Sequence, residues 1–132
     1  MAKILIVDDE PRIRELIEEH LEHEGYQCTQ ASDGAAALAA VAAGGIDLVI
    51  LDVMMPHLDG FTVCRLVRER SGIPIILLTA RAAEEDKLKG YGFGADDCMT
   101  KPFSPRVLLA KVNALLRRTS ARELEAEALS AG

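Results

Sequence analysis

The chain has 132 residues, and its 15 basic and 21 acidic side chains give a formal net charge of −6 at neutral pH. A chain of this length forms a single domain, and its negative charge makes it by itself a poor binder of nucleic acid. Hydrophobic residues make up 49% of the sequence, but only 4% of the residues are aromatic and there is no Trp. Such an aliphatic core suits parallel strands covered by helices.

The three cysteines, Cys28, Cys64 and Cys98, lie far apart in the sequence and form no CxxC motif. We therefore expect neither a disulfide framework nor a zinc site. The N-terminal run MAKILIVDDE ends in acids, unlike a signal peptide, and no apolar run approaches the roughly 18 residues of a membrane span. These features favour the reducing cytoplasm and no membrane partner.

Short apolar runs predict five strands. The first covers residues 3–7, and the more polar second, at residues 26–30, suits the edge of a sheet. The third, around residues 48–51, and the fourth, at residues 73–78, are almost unbroken apolar runs and are predicted to be buried on both faces. A short fifth strand is predicted at residues 95–100.

The segments between the strands carry helix signals. The predicted helices run from Pro11 to the stop at Gly25 and over residues 35–43, 61–70, 82–91 and 105–118. Five strand–helix units in succession predict a doubly wound α/β fold, with a parallel sheet and helices on both faces. The tail at residues 119–132 is polar and is predicted to be a linker, frayed or partly helical.

Polar side chains follow four of the predicted strands. Asp8 and Asp9 come after the first strand, Asp52 ends the third, Thr79 the fourth and Lys101 the fifth. The carboxyl ends of parallel strands share one edge of the sheet, and ligands of open α/β sheets bind there. Asp52 alone could be a helix N-cap or turn residue, but the whole set predicts a shared site.

The residue types at this edge indicate a chemistry. Three converging carboxylates repel one another unless a hard divalent cation binds among them, and Mg²⁺ fits best. A lysine and a hydroxyl beside a metal-bound carboxylate are what phosphoryl transfer requires. No Walker-type glycine loop or Ser-His-Asp order accompanies them.

Four motifs carry a resemblance to a known family: VDDE at residues 7–10, LDVMMPHLDG at 51–60, LTA at 78–80 and GADDCMTKPFSP at 94–105. In this order they resemble the receiver domain of bacterial response regulators, most closely the OmpR/PhoB type. The resemblance implies a flavodoxin-like (βα)5 sheet with strand order 2-1-3-4-5. It also implies a receiver domain over residues 1–118, with the tail at 119–132 leading to an output domain absent from this chain.

The resemblance assigns roles at the predicted site. Asp52 would accept a phosphoryl group from a sensor histidine kinase. Asp9, Asp52 and the backbone carbonyl of Met54 would hold Mg²⁺ directly, with Asp8 acting through water. The domain would not be an enzyme in the usual sense, although it would assist its own phosphorylation and slow autodephosphorylation.

Thr79 would be the switch hydroxyl that moves to the phosphoryl group, and Lys101 would contact the same group. The bond between Lys101 and Pro102 is expected to be cis. Cys98 stands where the family usually has an aromatic residue whose ring flips inward when the switch hydroxyl moves. A thiol cannot follow the movement of Thr79 in this way, so the aromatic part of the switch is not expected here. Cys98 is expected to be buried and inert.

Receivers of this type form homodimers on phosphorylation through the fourth helix, fifth strand and fifth helix, and thereby control a DNA-binding output domain. Val107 stands where the family has Glu, which removes one ion pair, so a weaker or re-registered dimer is expected. Residues that match the charged pattern of this face are Lys87, Asp96, Asp97, Lys111 and Arg118.

Three alternatives remain open at this point. One is a stand-alone receiver that acts by protein contact or phosphorelay. Another is a Mg²⁺-dependent aspartyl phosphohydrolase, although such enzymes usually have a second acid two residues after the nucleophile, where this chain has Met54. A flavodoxin-type FMN carrier is the third, although the chain lacks a Ser/Thr-rich phosphate loop.

Overall fold

A computed structural model describes residues 2–80 and 92–131, with side chains described up to residue 119. Within these ranges five strands pair in parallel in the order β2-β1-β3-β4-β5, which confirms the predicted fold and strand order. The strands are β1 (Lys3–Val7), β2 (Gln27–Ala31), β3 (Leu48–Asp52), β4 (Ile75–Thr79) and β5 (Asp97–Thr100).

Helices connect the strands and cover both faces of the sheet. The helix predicted at residues 82–91 lies outside the described residues. The C-terminal helix continues beyond residue 118 into the tail. The described helices are α1 (Pro11–His23), α2 (Gly34–Ala43), α3 (Gly60–Arg68) and the C-terminal helix (Pro105–Ala131). None of them is both long enough and apolar enough to cross a membrane.

Alternating side chains of the buried strands supply two separate cores. In β3, Val49 and Leu51 face α2 and α3, whereas Leu48 and Ile50 face α1 and the C-terminal helix. All five residues of β3 are buried, because a strand covered on both faces has no solvated side. The carboxylate of Asp52 at its end is therefore carried into a largely dry environment.

The order of the strands reverses between β1 and β3, since β2 lies on one side of this pair and β4 and β5 on the other. In doubly wound sheets the connections at such a point leave in opposite directions and open a crevice at the carboxyl ends of the strands. Asp8 follows β1 directly and Asp52 ends β3. The topology therefore brings both acids to this crevice.

The start of α3 packs directly on the end of β3. Asp59 caps the helix by accepting a hydrogen bond from the backbone N–H of Thr62 at 2.8 Å. The N–H of Gly60 donates to the carbonyl of Val53 at 2.9 Å. A Cβ on Gly60 would lie 2.3 Å from the Asp52 carbonyl oxygen and 2.7 Å from the Val53 Cα. Only glycine fits this approach, because the neighbouring atoms belong to the backbone.

We expect Gly60→Ala to lower the free energy of unfolding by about 2 kcal/mol, the usual scale for overpacking a rigid site. Urea denaturation measures this change. Gly72→Ala is the matched control, because a Cβ there meets nothing within 4 Å, and it should leave stability nearly unchanged. Equal stabilities for the two variants would contradict the proposed close approach.

Candidate functional site at the carboxyl edge of the sheet

Asp8 is fully buried at the end of β1. Its Oδ1 accepts a hydrogen bond from the backbone N–H of Glu10 at 2.9 Å, and its Oδ2 accepts one from Nζ of Lys101 at 2.8 Å. The next residue, Asp9, is exposed. Two neighbouring acids thus occupy different environments, one engaged within the protein and the other open to solvent.

Asp52 is also buried, with only 2% of its surface exposed. Its Oδ1 lies 3.3 Å from Nζ of Lys101 and accepts a hydrogen bond from the backbone N–H of Met54 at 3.3 Å. The side chain of Met54 itself is exposed. The loop after β3 therefore presents its backbone, rather than an acidic side chain, to Asp52.

Lys101 follows β5, and its ammonium group contacts both buried acids. Its backbone N–H donates to the carbonyl of Thr79 at 2.7 Å, which joins the end of β5 to the end of β4. The peptide bond between Lys101 and Pro102 is cis, as the resemblance implied. The lysine is thus tied by its backbone to one neighbouring strand and by its side chain to two others.

Thr79 is the last residue of β4 and is buried. In the register of the sheet Leu78 pairs with Asp52, and Thr79 pairs with Thr100, the residue before Lys101. Thr79 therefore lies at the carboxyl edge, on the strand between the one that carries Asp52 and the one that leads to Lys101. The structure brings Asp8, Asp9, Asp52 and Lys101 together at the carboxyl edge, and the register places Thr79 on the same edge.

Burial and crowded negative charge together set the electrostatics of the site. The pKa of Asp52 is raised to about 6, first by burial and then by the charge of Asp8, while Lys101 and the backbone N–H of Met54 partly oppose the rise. Burial alone would lower the pKa of Lys101, but its hydrogen bond to Asp8 and the charges of Asp52 and Asp8 raise it. Lys101 is therefore a stable ammonium at neutral pH, and one cation faces more negative charge than it can neutralise.

The donor set fits a hard divalent cation. Carboxylate oxygens of Asp8, Asp9 and Asp52 all lie within 4.8 Å of one another. Oxygen ligands of this kind are what Mg²⁺ prefers in proteins, and the exposed Asp9 leaves room for the waters that Mg²⁺ usually keeps. The excess negative charge gives such an ion a physical role that Lys101 alone does not fulfil.

Sequence reasoning missed two residues beside the site. Nη1 of Arg14 donates to the backbone carbonyl of Asp8 at 2.6 Å, and its Nε donates to Oε1 of Gln30 at 2.9 Å. In the sequence, nothing distinguishes Arg14 from the other charged residues of the first helix. No motif identifies it, because its partners are a backbone atom and a residue 16 positions away.

Other residues singled out from the sequence lie away from the acids. Cys98 is buried in the core that faces α2 and α3, as expected. Asp97 pairs with Lys111 at 2.8 Å within the chain, on the surface formed by β5 and the C-terminal helix. Val107 and Arg118 are exposed on that helix. Lys87 lies outside the described residues.

Comparison with known proteins agrees with this geometry. The family model of the response regulator receiver domain matches residues 4–113 of this chain. The transcriptional regulatory protein ResD of Bacillus subtilis is 48% identical over 119 residues, which cover 90% of this chain and 50% of ResD. The alkaline phosphatase synthesis transcriptional regulatory protein PhoP of the same organism is 50% identical over 118 residues, with 89% and 49% covered. The chain spans about half the length of these curated relatives.

Solved structures agree as well. The receiver domain of the Francisella response regulator 1452 superposes with a TM-score of 0.87 at 37% identity, covering 90% of this chain and 99% of that one. The BeF3-activated DrrB receiver domain gives a TM-score of 0.81 at 38% identity, with 89% and 98% covered. The fold and the sequence thus point to the same family.

We expect Asp52→Asn to stabilise the metal-free protein in a pH-dependent way. The pKa of Asp52 is raised from 3.8 to about 6 in the folded state, so the folded state favours the protonated form. The stabilising contribution of that proton is fully present below pH 3.8 and is lost as pH rises through 6. The amide substitution should therefore add about 3 kcal/mol above pH 7 and little near pH 4.

Urea unfolding in the presence of a chelator, compared between pH 4.5 and pH 7.5, measures this difference. Glu69→Gln is the control, because it removes a surface carboxylate that forms an exposed pair with Arg65. Such a pair contributes roughly 0 to 1 kcal/mol. If Asp52→Asn raised the free energy of unfolding by the same amount at both pH values, the pKa of Asp52 would not be raised in the folded state, contrary to the prediction.

Proposed function

Because the chain belongs to the receiver-domain family of response regulators, whose members are phosphoacceptor signalling domains, we propose that Asp52 is its phosphoacceptor. The donor is the phosphohistidine of a sensor histidine kinase. An oxygen of the Asp52 carboxylate forms a bond to phosphorus while the bond from phosphorus to the imidazole nitrogen breaks, and the bonding electrons remain on the imidazole. The product is an acyl phosphate on Asp52.

One observation supports this role most strongly. The ammonium group of Lys101 contacts the carboxylates of both Asp8 and Asp52, at 2.8 Å and 3.3 Å. In the unphosphorylated site it lowers the pKa of Asp52 against the effects of burial and of Asp8. A carboxylate that stays ionised at neutral pH can attack phosphorus without first losing a proton. After transfer, the same ammonium is close enough to interact with the new phosphoryl oxygens.

The residues that would hold Mg²⁺ are Asp9, Asp52 and the backbone carbonyl of Met54, with Asp8 acting through water. A Mg²⁺ held by these residues would supply positive charge to offset that of the transferring phosphoryl group. The burial of Asp8 supports its indirect role, because its two oxygens are already engaged by Glu10 and Lys101. The exposed Asp9 is the acid that remains open to a ligand from solvent.

Thr79 is proposed as the switch residue. It lies at the end of β4, and its carbonyl accepts a hydrogen bond from the backbone of Lys101. A phosphoryl group on Asp52 adds negative charge and three acceptor oxygens to the edge of the sheet, which favours a shift of the Thr79 hydroxyl toward it. Slow autodephosphorylation of the acyl phosphate would end the signal.

We propose that the whole protein acts in the cytoplasm as a transcription regulator. The chain spans half of relatives named as transcriptional regulatory proteins, and its net charge of −6 does not favour DNA contact by the receiver itself. Residues 1–118 form the receiver in this proposal. Residues 119–132 lead to an output domain that binds DNA.

Self-association is proposed to pass the signal to that output domain. The proposed surface comprises β5 and the C-terminal helix; Lys87, which the resemblance also assigns to it, lies outside the described residues. Two of its acids are engaged within the chain: Asp97 pairs with Lys111, and Asp96 with Arg68 at 3.0 Å. Exposed Val107 stands where the family has Glu. We therefore propose a dimer with fewer intermolecular ion pairs than is usual for the family.

Phosphorylation is tested with acetyl phosphate and Mg²⁺, which remove the need for the kinase. Intact-mass measurement should show one phosphate adduct on the native chain and none on Asp52→Ala. Asp59→Asn is the matched control, since it changes a nearby acid but preserves an N-cap, and it should be phosphorylated normally. An adduct that survives Asp52→Ala would place the acceptor elsewhere and contradict the proposal.

Dimerisation is tested by analytical ultracentrifugation with and without the phosphoryl mimic beryllofluoride. The native chain should associate more tightly with the mimic than without it. Val107→Glu should tighten that association by a few-fold, because an exposed ion pair contributes roughly 0 to 1 kcal/mol. Val107→Gln controls for polarity without charge. A strictly monomeric protein in the presence of the mimic would contradict the proposed assembly.

A further inference from the structure

Arg14 connects three separate segments next to the acidic cluster. Its Nη1 donates to the backbone carbonyl of Asp8 at 2.6 Å and its Nε to Oε1 of Gln30 at 2.9 Å. The side-chain amide of Gln30 in turn donates to Glu18. The guanidinium group, which is half-buried, thus joins the loop after β1 to β2 and to α1. Only a planar fork of several donors can satisfy both acceptors at once.

The local structure explains why Arg14 reaches this loop. Arg14 lies in the first turns of α1, and long side chains on a helix lean toward its N-terminus. Here that direction leads back over residues 8–10. The strand β2 runs parallel to β1, with Gln30 paired to Ile6, so Gln30 stands beside the end of β1 and holds the guanidinium from the other side.

The backbone of Asp8 is consequently held at both ends. Its N–H donates to the carbonyl of Ala31 at 3.2 Å, and its carbonyl accepts from Arg14. The peptide group that joins Asp8 to Asp9 is planar, so fixing the Asp8 carbonyl also fixes the direction of the Asp9 N–H and the position of the Asp9 Cα. Asp9 is the one exposed member of the three acids, and its placement depends on this peptide.

We propose that Arg14 is a positioning residue that sets Asp9 for binding a divalent cation, with Gln30 orienting its guanidinium group. The inference rests on the proposed function, because it assumes that the acidic cluster binds Mg²⁺. It adds a residue outside the cluster that governs affinity through the backbone. Groups that orient metal ligands in this way typically change metal affinity by 10- to 100-fold when they are removed.

The sign of the change in Mg²⁺ affinity distinguishes a positioning role of Arg14 from the effect of its positive charge. Arg14 is a cation near the acidic cluster, so removing its charge would, by electrostatics alone, strengthen Mg²⁺ binding. Loss of positioning would weaken it instead. A weaker affinity after Arg14→Met therefore cannot arise from the change in charge, and the two explanations make opposite predictions for one measurement.

Arg68 provides a matched control. Its guanidinium group also links separate segments through backbone carbonyls, donating to Gly94 at 2.7 Å and to Ile73 at 2.9 Å. These residues precede β5 and β4, so Arg68 acts at the amino edge of the sheet, opposite Asp52. Arg68→Met should lower stability in urea unfolding, as any loss of such a network does, but it should leave Mg²⁺ affinity unchanged.

Isothermal titration calorimetry with Mg²⁺ compares the native chain, Arg14→Met and Arg68→Met. We expect about tenfold weaker binding for Arg14→Met and native affinity for Arg68→Met. Unchanged or tighter binding by Arg14→Met would overturn the inference, as would an equal loss in both variants. Absence of Mg²⁺ binding by the native chain would instead contradict the proposed function itself.

Arg14→Lys is measured if Arg14→Met does not unfold cooperatively. Lysine retains the charge but not the fork that reaches Asp8 and Gln30 together, so we expect a several-fold loss of Mg²⁺ affinity. Native affinity in that variant would overturn the inference. Because the native chain and Arg14→Lys carry the same charge, a loss of Mg²⁺ affinity in this variant can be attributed to the geometry of the side chain.

Discussion

The ammonium group of Lys101 lies between two buried carboxylates, Asp8 and Asp52, and the rest of the site depends on this contact. Burying like charges together is costly unless a cation is present, and a single lysine offsets only part of the repulsion. Burial first, and then the charge of Asp8, leave the pKa of Asp52 raised despite the contact with Lys101. A site in this condition responds strongly to a divalent cation or to a phosphoryl group, because either one changes the charge balance around Lys101.

The parallel sheet holds Asp8, Asp52 and Lys101 in these positions. Asp8, Asp52 and Lys101 are separated by more than 40 residues at each step of the chain, yet each follows a strand that ends at the same edge. Parallel pairing fixes the registers of the strands, and the two aliphatic cores fix the sheet against its helices. The packing of the strands and helices that stabilises the fold therefore also determines the geometry of the site.

Much of this could be predicted from the sequence. The apolar runs indicated the strands because buried parallel strands need side chains that are apolar on both faces, and the acids at the ends of those runs indicated the site. The sequence did not reveal which of the adjacent Asp8 and Asp9 is buried, because this depends on Lys101 and on a backbone N–H. It also did not reveal Arg14, or the capture of Asp96 by Arg68, since backbone carbonyls and distant loops supply those contacts.

The account is tested most directly by a ¹³C NMR titration of the Asp52 side-chain carboxyl in the metal-free protein. We predict a pKa near 6, a higher value in Lys101→Met, where the opposing cation is lost, and a fall when Mg²⁺ is added. A titration at the ordinary value of 3.8, unaffected by Lys101→Met, would show that Asp52 is not coupled to Asp8 and Lys101 and would contradict the account.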